Sequence, residues 1–194
     1  MTHASVAVRE ASRDDLPLLV DLWTELRDLT GHVEKMIPAP DEAALLAQLS
    51  GMTQDPDAVA MIATVDDQVA GMAVFTCSSY APLFDQRVVH THYLHVREGF
   101  RRRGVGKALL SSAVSFADRM GAEHVVATVL PQLRETHRFY ARLGFGPVAV
   151  RRSVPVNVLR RRLVPVAPAS VTDHLLARRR SVRRVRAAVA RAAD

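Results

Sequence analysis

The sequence holds a single cysteine, Cys77, in 194 residues. An intrachain disulfide is excluded, and a reducing, cytoplasmic setting is the expected one. Cys77 ends the strand-like run Val74-Phe75-Thr76-Cys77. A structural thiol is the ordinary reading there, ahead of a nucleophile. No apolar run is long enough to span a bilayer. The first residues lack a basic segment followed by an apolar stretch, so no secretory signal is expected. Residues 165–194 contain no Phe, Trp or Tyr, which argues against stacking single-stranded nucleic acid on that segment. There is no internal repeat.

What is present is an uneven charge. The formal net charge is +6, yet residues 165–194 carry seven arginines against Asp173 and Asp194. The remainder holds 19 basic and 18 acidic side chains. The basic character therefore belongs to an appendage, and the near-neutral body is a poor nucleic-acid-binding domain.

The apolar pattern predicts a mixed α/β body over residues 1–164. Val6 to Val8 reads as a strand. Asp14 reads as the cap of a helix with Leu16, Leu19, Val20, Trp23 and Leu26 at helical spacing, stopping near Gly31. Asp41 reads as the cap of a second helix, through Leu49. Ala58–Val65 and Gln68–Thr76 read as a hairpin turning at Asp66-Asp67. Val88–Val96 is the next strand, and Gly104 to Gly121 brackets a long amphipathic helix. His124–Leu130 is a strand, Leu133–Leu143 a helix ended by Gly144, and residues 145–150 and 156–163 two last strands around Pro155. The strand–helix–strand unit implies local parallel pairing. Val164-Pro165-Val166-Ala167-Pro168 reads as a linker, and a basic helix follows within residues 165–194. That helix has too little apolar surface to stand alone. It is expected to dock on its own body, on a second subunit as in a homodimer, or on an anionic partner, or else to fray.

The most informative stretch is Val96-Arg97-Glu98-Gly99-Phe100-Arg101-Arg102-Arg103-Gly104-Val105-Gly106-Lys107. A strand ends, a basic glycine-bearing turn follows, and a helix opens. The first N–H groups of a helix lack intrahelical partners and sit at the positive end of its dipole. Gly104 and Gly106 are read as removing side chains that block close backbone approach. Arg101, Arg102, Arg103 and Lys107 add a positive field, and together these make an anion site suited to a pyrophosphate. A P-loop is excluded, because Ala108 follows Gly106-Lys107 and Arg101 stands five before Gly106. A dinucleotide fingerprint is excluded by Leu109.

Arg101-x-x-Gly104-x-Gly106 resembles the Gln/Arg-x-x-Gly-x-Gly/Ala signature of the GNAT superfamily, the acetyl-CoA-dependent N-acetyltransferases. Other features fall in family order: Leu94-x-Val96 before the turn, Phe139-Tyr140-Ala141-Arg142-Leu143-Gly144-Phe145 after it, Gly71 in the third strand, and Val8-Arg9-Glu10-Ala11 with Asp14-Asp15-Leu16-Pro17 at the start. The resemblance covers about residues 6–163. It implies a mixed central sheet flanked by helices, with acetyl-CoA as co-substrate. It further implies that the backbone of Arg102, Arg103, Gly104, Val105, Gly106 and Lys107 holds the pyrophosphate. Arg101 joins them at the phosphates, and the backbone of Leu94, His95 and Val96 pairs with the pantetheine arm.

Acetyl transfer to an amine requires a base for the ammonium and an acid for the departing thiolate. The resemblance makes Tyr140 the acid. Where the family often has a glutamate base, this chain has His92, whose imidazole is suited to the task near neutrality. Strict alternation places His90 and His92 on one strand face and His95 on the other. His90-x-His92 also has the spacing of a zinc pair, but no third ligand is evident. Two further departures, Leu133 for the family's asparagine and Thr136 for its alanine, bear on pantetheine contacts. The leading reading is an enzyme moving acetyl from acetyl-CoA to a primary amine, on a small molecule or a protein, by direct transfer in a ternary complex. The alternatives are a catalytically idle CoA-binding or regulatory module using the basic tail for partner contacts, and a chain whose main function is the tail itself, binding nucleic acid or an anionic membrane. The acceptor pocket is expected from the first two helices, the loop around Ser78 to Gln86 and the last strands.

Overall fold

Asp66 and Asp67 both sit in the left-handed region, at φ 49° and 63°. Two such residues give a turn whose twist matches that of the strands it joins. The hairpin they close, β2 (Ala58–Val65) and β3 (Gln68–Ser79), is the middle of a five-stranded sheet ordered β1-β2-β3-β4-β5, with β1 Val6–Glu10, β4 Arg87–Val96 and β5 His124–Ala127. The first four strands pair antiparallel and β5 joins β4 in parallel. The computed structural model describes residues 5–30 and 40–163. The chain divides into two compact units, residues 1–149 and 150–194, and the sheet lies in the first.

The helix starts follow capping chemistry. A 3-10 turn, Arg13–Asp15, leads into α1 (Leu16–Thr30), and its cap is Ser12, with the expected cap Asp14 inside the turn: the backbone N–H and hydroxyl of Ser12 both donate to Asp15 Oδ2, at 2.8 and 2.9 Å. Arg9 grips the same carboxylate at 2.7 Å through each of two nitrogens, tying β1 to the helix entrance. Asp41 caps α2 (Glu42–Met52) as expected, accepting from Ala44 N–H at 2.8 Å. Such a cap contributes about 1 kcal/mol. Gly104 and Gly121 bracket α3 (Val105–Met120), both left-handed at φ 88° and 64°. The next helix is α4 (Arg134–Arg142), with left-handed Gly144 beyond it at φ 89°.

The sheet is covered on both faces. Leu109, Ala113 and Phe116 of α3 and Tyr140 of α4 pack on Phe75, Cys77 and Val89. Leu19 and Leu22 of α1 and Leu45 and Leu49 of α2 pack on Ile62, Met72 and Val74 of the other face. Each fully buried side chain of this size contributes about 1.5–3 kcal/mol. Cys77 is buried, as its strand position predicts.

The expected strand over 124–130 stops at Ala127, and residues 145–150 form neither helix nor strand. In the second unit, residues 156–163 are not a strand but a helix, α5 (Val156–Leu163). The carbonyl of Pro155 accepts from both Val158 and Leu159 at 3.0 Å. Proline suits a helix entrance, and the three arginines that follow are good helix formers, which outweighs the β preference of two valines. The basic helix expected beyond the linker lies outside the described residues. Among the described residues no helix is long and apolar enough to cross a membrane.

Candidate functional site

Strand β4 is half open. From Val88 to Thr91 it pairs with β5 through His124 to Ala127. β5 then ends, while β4 runs on to Val96 along β3. From His92 onward the β5-side edge of β4 has no strand partner among the described residues, so a row of backbone donors and acceptors is left for another extended chain. At the head of this opening stands Thr91, 2% exposed, whose hydroxyl has no hydrogen-bond partner among the described residues.

A bulge lies in the open stretch. Val74 pairs with His92 but Met72 pairs with His95, so Tyr93 and Leu94 together oppose Ala73. Tyr93 is left-handed, at φ 50°. A bulge adds one residue and so reverses the alternation of every side chain beyond it. This corrects the expectation for His95. Its side chain shares the α1 face with His92, where its Nε2 lies 3.3 Å from Glu25 Oε2. Leu94 and Val96 face α3 instead.

Beyond Val96 the chain makes a short turn at Glu98–Phe100 and enters α3. Arg102 is left-handed at φ 61°, two residues before left-handed Gly104. The helix's first backbone bond is Ala108 N–H to Gly104 O, 3.0 Å. The amides of Val105, Gly106 and Lys107 therefore lack intrahelical partners. Two of the four cations are turned onto the chain itself. Arg101 Nε donates to Val96 O at 3.3 Å, and the Arg103 guanidinium lies 5.7 Å from the Phe100 ring centroid. Arg102 and Lys107 are exposed, with no side-chain partner among the described residues. Gly106 also answers to a packing constraint. A Cβ on it meets the Phe139 ring at 3.1 Å, so this glycine lets α4 close on α3. Gly104 meets nothing with a Cβ and is required by its φ.

Tyr140 is 6% exposed and packs edge-on against Phe139 and Phe145, at 5.3 and 5.0 Å between ring centroids. Burial pushes its phenol up to about 12, so the hydroxyl keeps its proton at neutral pH. His92 is half-buried on the opposite face, its Nε2 3.1 Å from Thr76 Oγ1 and its ring stacked on His90 at 5.9 Å. The structure thus joins the turn and the open strand edge into one continuous surface, and sets Tyr140 and His92 on opposite faces of the sheet.

Sequence reasoning missed Glu25. It sits on α1 and receives Arg97 Nε at 3.0 Å and Nη2 at 2.7 Å, besides the contact with His95. Arg97 holds its carboxyl below the usual carboxylate range, and His95 adds to the effect. Desolvation holds His95 below the ordinary imidazole range, against the pull of Glu25. No local signal marks it: at 100° per residue Glu25 lies about 120° around α1 from Leu19, off the apolar stripe.

On this same face α1, α2 and the sheet enclose a cleft of ≈ 280 Å³, walled by Trp23, Leu45, Leu49, Met72, Val74 and Tyr93 among others.

The model of the Acetyltransferase (GNAT) family matches residues 19–145. An uncharacterized N-acetyltransferase of Methanocaldococcus jannaschii is 29% identical over 94 residues, a match covering 48% of this chain and only 41% of that protein. Among solved structures, a transcriptional regulator from Bacillus halodurans C-125 aligns at TM-score 0.65 and 22% identity, over 78% of this chain and 99% of its own. An aminoglycoside N-acetyltransferase in complex with CoA aligns at 0.63 and 20%, over 79% and 96%. A glucosamine-6-phosphate N-acetyltransferase from Arabidopsis thaliana aligns at 0.59 and 15%, over 78% and 99%. These three likenesses establish a shared fold.

Proposed function

The chain belongs to the acetyltransferase (GNAT) family, and on that footing we propose that it is an acyltransferase moving the acetyl group of acetyl-CoA to a primary amine, by direct attack in a ternary complex. The observation that carries this reading is the continuity between the unpaired edge of β4 and the amide-rich start of α3. A ligand with an extended amide-bearing arm and a pyrophosphate matches both at once. The orphaned hydroxyl of Thr91 at the head of the opening and the two exposed cations, Arg102 and Lys107, fit the same molecule.

Bound acetyl-CoA supplies an activated acyl group as its thioester. The amides of residues 102–107 hold its phosphates, and Leu94, His95 and Val96 pair with its arm. His92 takes a proton from the incoming ammonium. As the C–N bond forms, a β4 amide near Val96 donates to the carbonyl oxygen where negative charge gathers. As the C–S bond breaks, Tyr140 gives its proton to the leaving sulfur; His92, having passed its first proton to solvent, takes the second from the new amide nitrogen, and solvent returns a proton to Tyr140. Cys77, 5% exposed, takes no part.

Tyr140→Phe tests the scheme, because it keeps the ring in its aromatic cluster and removes only the proton. Turnover should fall roughly 10- to 10⁴-fold while calorimetric acetyl-CoA affinity is kept. Unchanged turnover removes Tyr140 from the mechanism, and an acetyl-Cys77 adduct in the mass spectrum refutes direct transfer. Acetyl-CoA binding with no amine turned over identifies instead a catalytically idle CoA-binding module.

A further inference from the structure

We propose that Thr91 is a further catalytic residue, its hydroxyl donating to the sulfur of the thioester as CoA departs and sharing that atom with Tyr140. This inference rests on the acetyl-transfer reading and adds a donor to the same site. Burial sets the problem. Thr91 is 2% exposed, and its hydroxyl is the one fully buried side-chain nitrogen or oxygen without a hydrogen-bond partner among the described residues. Its register neighbours are apolar on both sides, Phe75 on β3 and Ala127 on β5. Valine has nearly the same shape, suits a strand as well and leaves no polar atom to desolvate. A threonine here therefore weakens the empty fold, and a ligand atom that accepts from its hydroxyl offsets that loss.

Position says which ligand atom. Thr91 and Ala127 form the last rung that β4 shares with β5. An arm that enters from the α3 turn and pairs with Val96, His95 and Leu94 runs toward that rung and stops where β5 closes the edge. Its phosphates stay at the entrance, so the end that reaches Thr91 is the thioester. The face then separates sulfur from amine. β3 and β4 keep an unbroken register from Ser79 with Arg87 to Val74 with His92. Thr91 therefore lies on the face of Val89, the face of α3 and Tyr140, and His92 lies on the other. Two consecutive side chains bracket the opening: a hydroxyl on the side of the leaving sulfur and an imidazole on the side of the incoming nitrogen.

The two hydroxyls divide the chemistry. As the C–S bond breaks, its electron pair goes to sulfur. Tyr140 supplies the proton that ends there. Thr91 gives a hydrogen bond and keeps its own proton, so the balance of the reaction is unchanged. Burial pushes the Tyr140 phenol up to about 12, well above an ordinary thiol near about 8.5. Its proton therefore moves late, and the sulfur leaves carrying negative charge. A second donor at that atom acts where the charge develops.

Free CoA is the first probe, because it needs no acceptor. A hydrogen bond to a thiolate favours the charged form. The thiol of CoA bound to the full chain, followed by its ultraviolet absorbance, should titrate about one unit higher in Thr91→Val than in wild type. Thr91→Ser keeps the hydroxyl and should restore the wild-type titration. With a panel of butylamine, spermidine and a lysine peptide, Thr91→Val should lower kcat about 10- to 100-fold and leave the KM of acetyl-CoA within about 3-fold. Combined with Tyr140→Phe, the two losses should fall short of their product, because both act on one sulfur. A CoA thiol that titrates alike in wild type and Thr91→Val, or an unchanged kcat, overturns this inference and leaves acetyl transfer standing. A rise in the KM of acetyl-CoA with kcat kept does the same, since it assigns the hydroxyl to the arm. No CoA binding by the wild type, or binding without transfer to any amine, overturns the acetyl-transfer reading and the inference with it.

Discussion

Gly71→Ala probes how β4 is held in its bulged path. Gly71 lies on β3 opposite Val96, just past the bulge. A Cβ built on it stands 2.3 Å from His95 O and 3.2 Å from Val96 Cα. Real Cβ contacts do not fall below 3.0 Å, so the strands must part by at least about 0.7 Å. The obstacle is backbone and cannot rotate away. It is also tethered: Arg97 N–H donates to Ala70 O at 2.9 Å, and the His95 side chain meets Glu25. Overpacking of this kind costs about 1–3 kcal/mol, and a weakened ladder bond about 1 more. Against this, alanine reduces the freedom of the unfolded chain, worth about 0.4–1 kcal/mol. The net loss is about 2–3 kcal/mol, a fall in Tm of about 4–12 °C for a chain of this length. The molecules that fold should also bind acetyl-CoA at least about 10-fold more weakly, since the displaced residues are those proposed to pair with its arm. Calorimetric melting and titration read both quantities. Gly51→Ala is the control: in α2, with nothing within 4 Å of its Cβ, it should raise Tm by about 1–4 °C. A Gly71→Ala protein that melts within about 1 °C of wild type and binds acetyl-CoA equally well refutes the reasoning.

Thr91→Val replaces a buried hydroxyl without a partner by a methyl of the same shape, so the ligand-free protein should gain about 1–2 kcal/mol; a loss of several degrees in Tm shows that the hydroxyl was bonded. Gly104→Ala should cost about 1–2 kcal/mol through its φ of 88° alone, whereas Gly106→Ala should act through Phe139 and be relieved in Phe139→Leu, which a double-mutant cycle measures. Acid should destabilise the fold in two stages. His95 and Glu25 both titrate lower folded than unfolded, so each binds fewer protons when folded and stabilises above its unfolded value. The His95 part is lost as pH falls below about 6.5, and the Glu25 part below about 4.5. A Tm that stays flat from pH 7.5 to 4, or an acid limb unchanged in Glu25→Gln, contradicts this.

Features legible in the sequence are those enforced by backbone chemistry within a few residues. Asp66-Asp67, Asp41, Gly104 and Gly121 each mark a turn or cap whose cause is local, and each stands where the pattern placed it. The strand–turn–helix at 96–105 was legible for the same reason. What escaped depends on distant partners. Glu25 meets Arg97 across 72 positions, and no local pattern announces such a pair. Gly71 was recognisable by family resemblance, but its cause, the carbonyl of His95, is visible only in the paired strands. The bulge escaped because Tyr93 carries an aromatic side chain into a left-handed conformation that sequence rules assign to glycine or asparagine.

That one inserted residue organises the whole site. With strict alternation, His95 and Arg97 would point at α3 and Leu94 and Val96 at α1, and Glu25 would lose both of its partners. With the bulge, the polar His95 reaches Glu25 and Arg97 on one face, while Leu94 and Val96 join the apolar core on the other. The same insertion swings Tyr93 out to wall the cleft. It falls two residues past the last rung shared with β5, where the sheet is already open. Strand divergence and bulge therefore coincide, and the sheet becomes passable at the place where its two faces carry different equipment. The α3–α4 face holds a protonated phenol and the amide-rich helix start. The α1–α2 face holds an imidazole and a cleft walled by Trp23, Met72 and Tyr93 among others. A transfer between two substrates arriving from opposite sides needs that separation, because each substrate must be bound without blocking the other and the two proton transfers must not short-circuit. A sheet paired along its full length keeps the two faces sealed from one another, so the open, bulged end of β4 is the element on which the proposed chemistry depends.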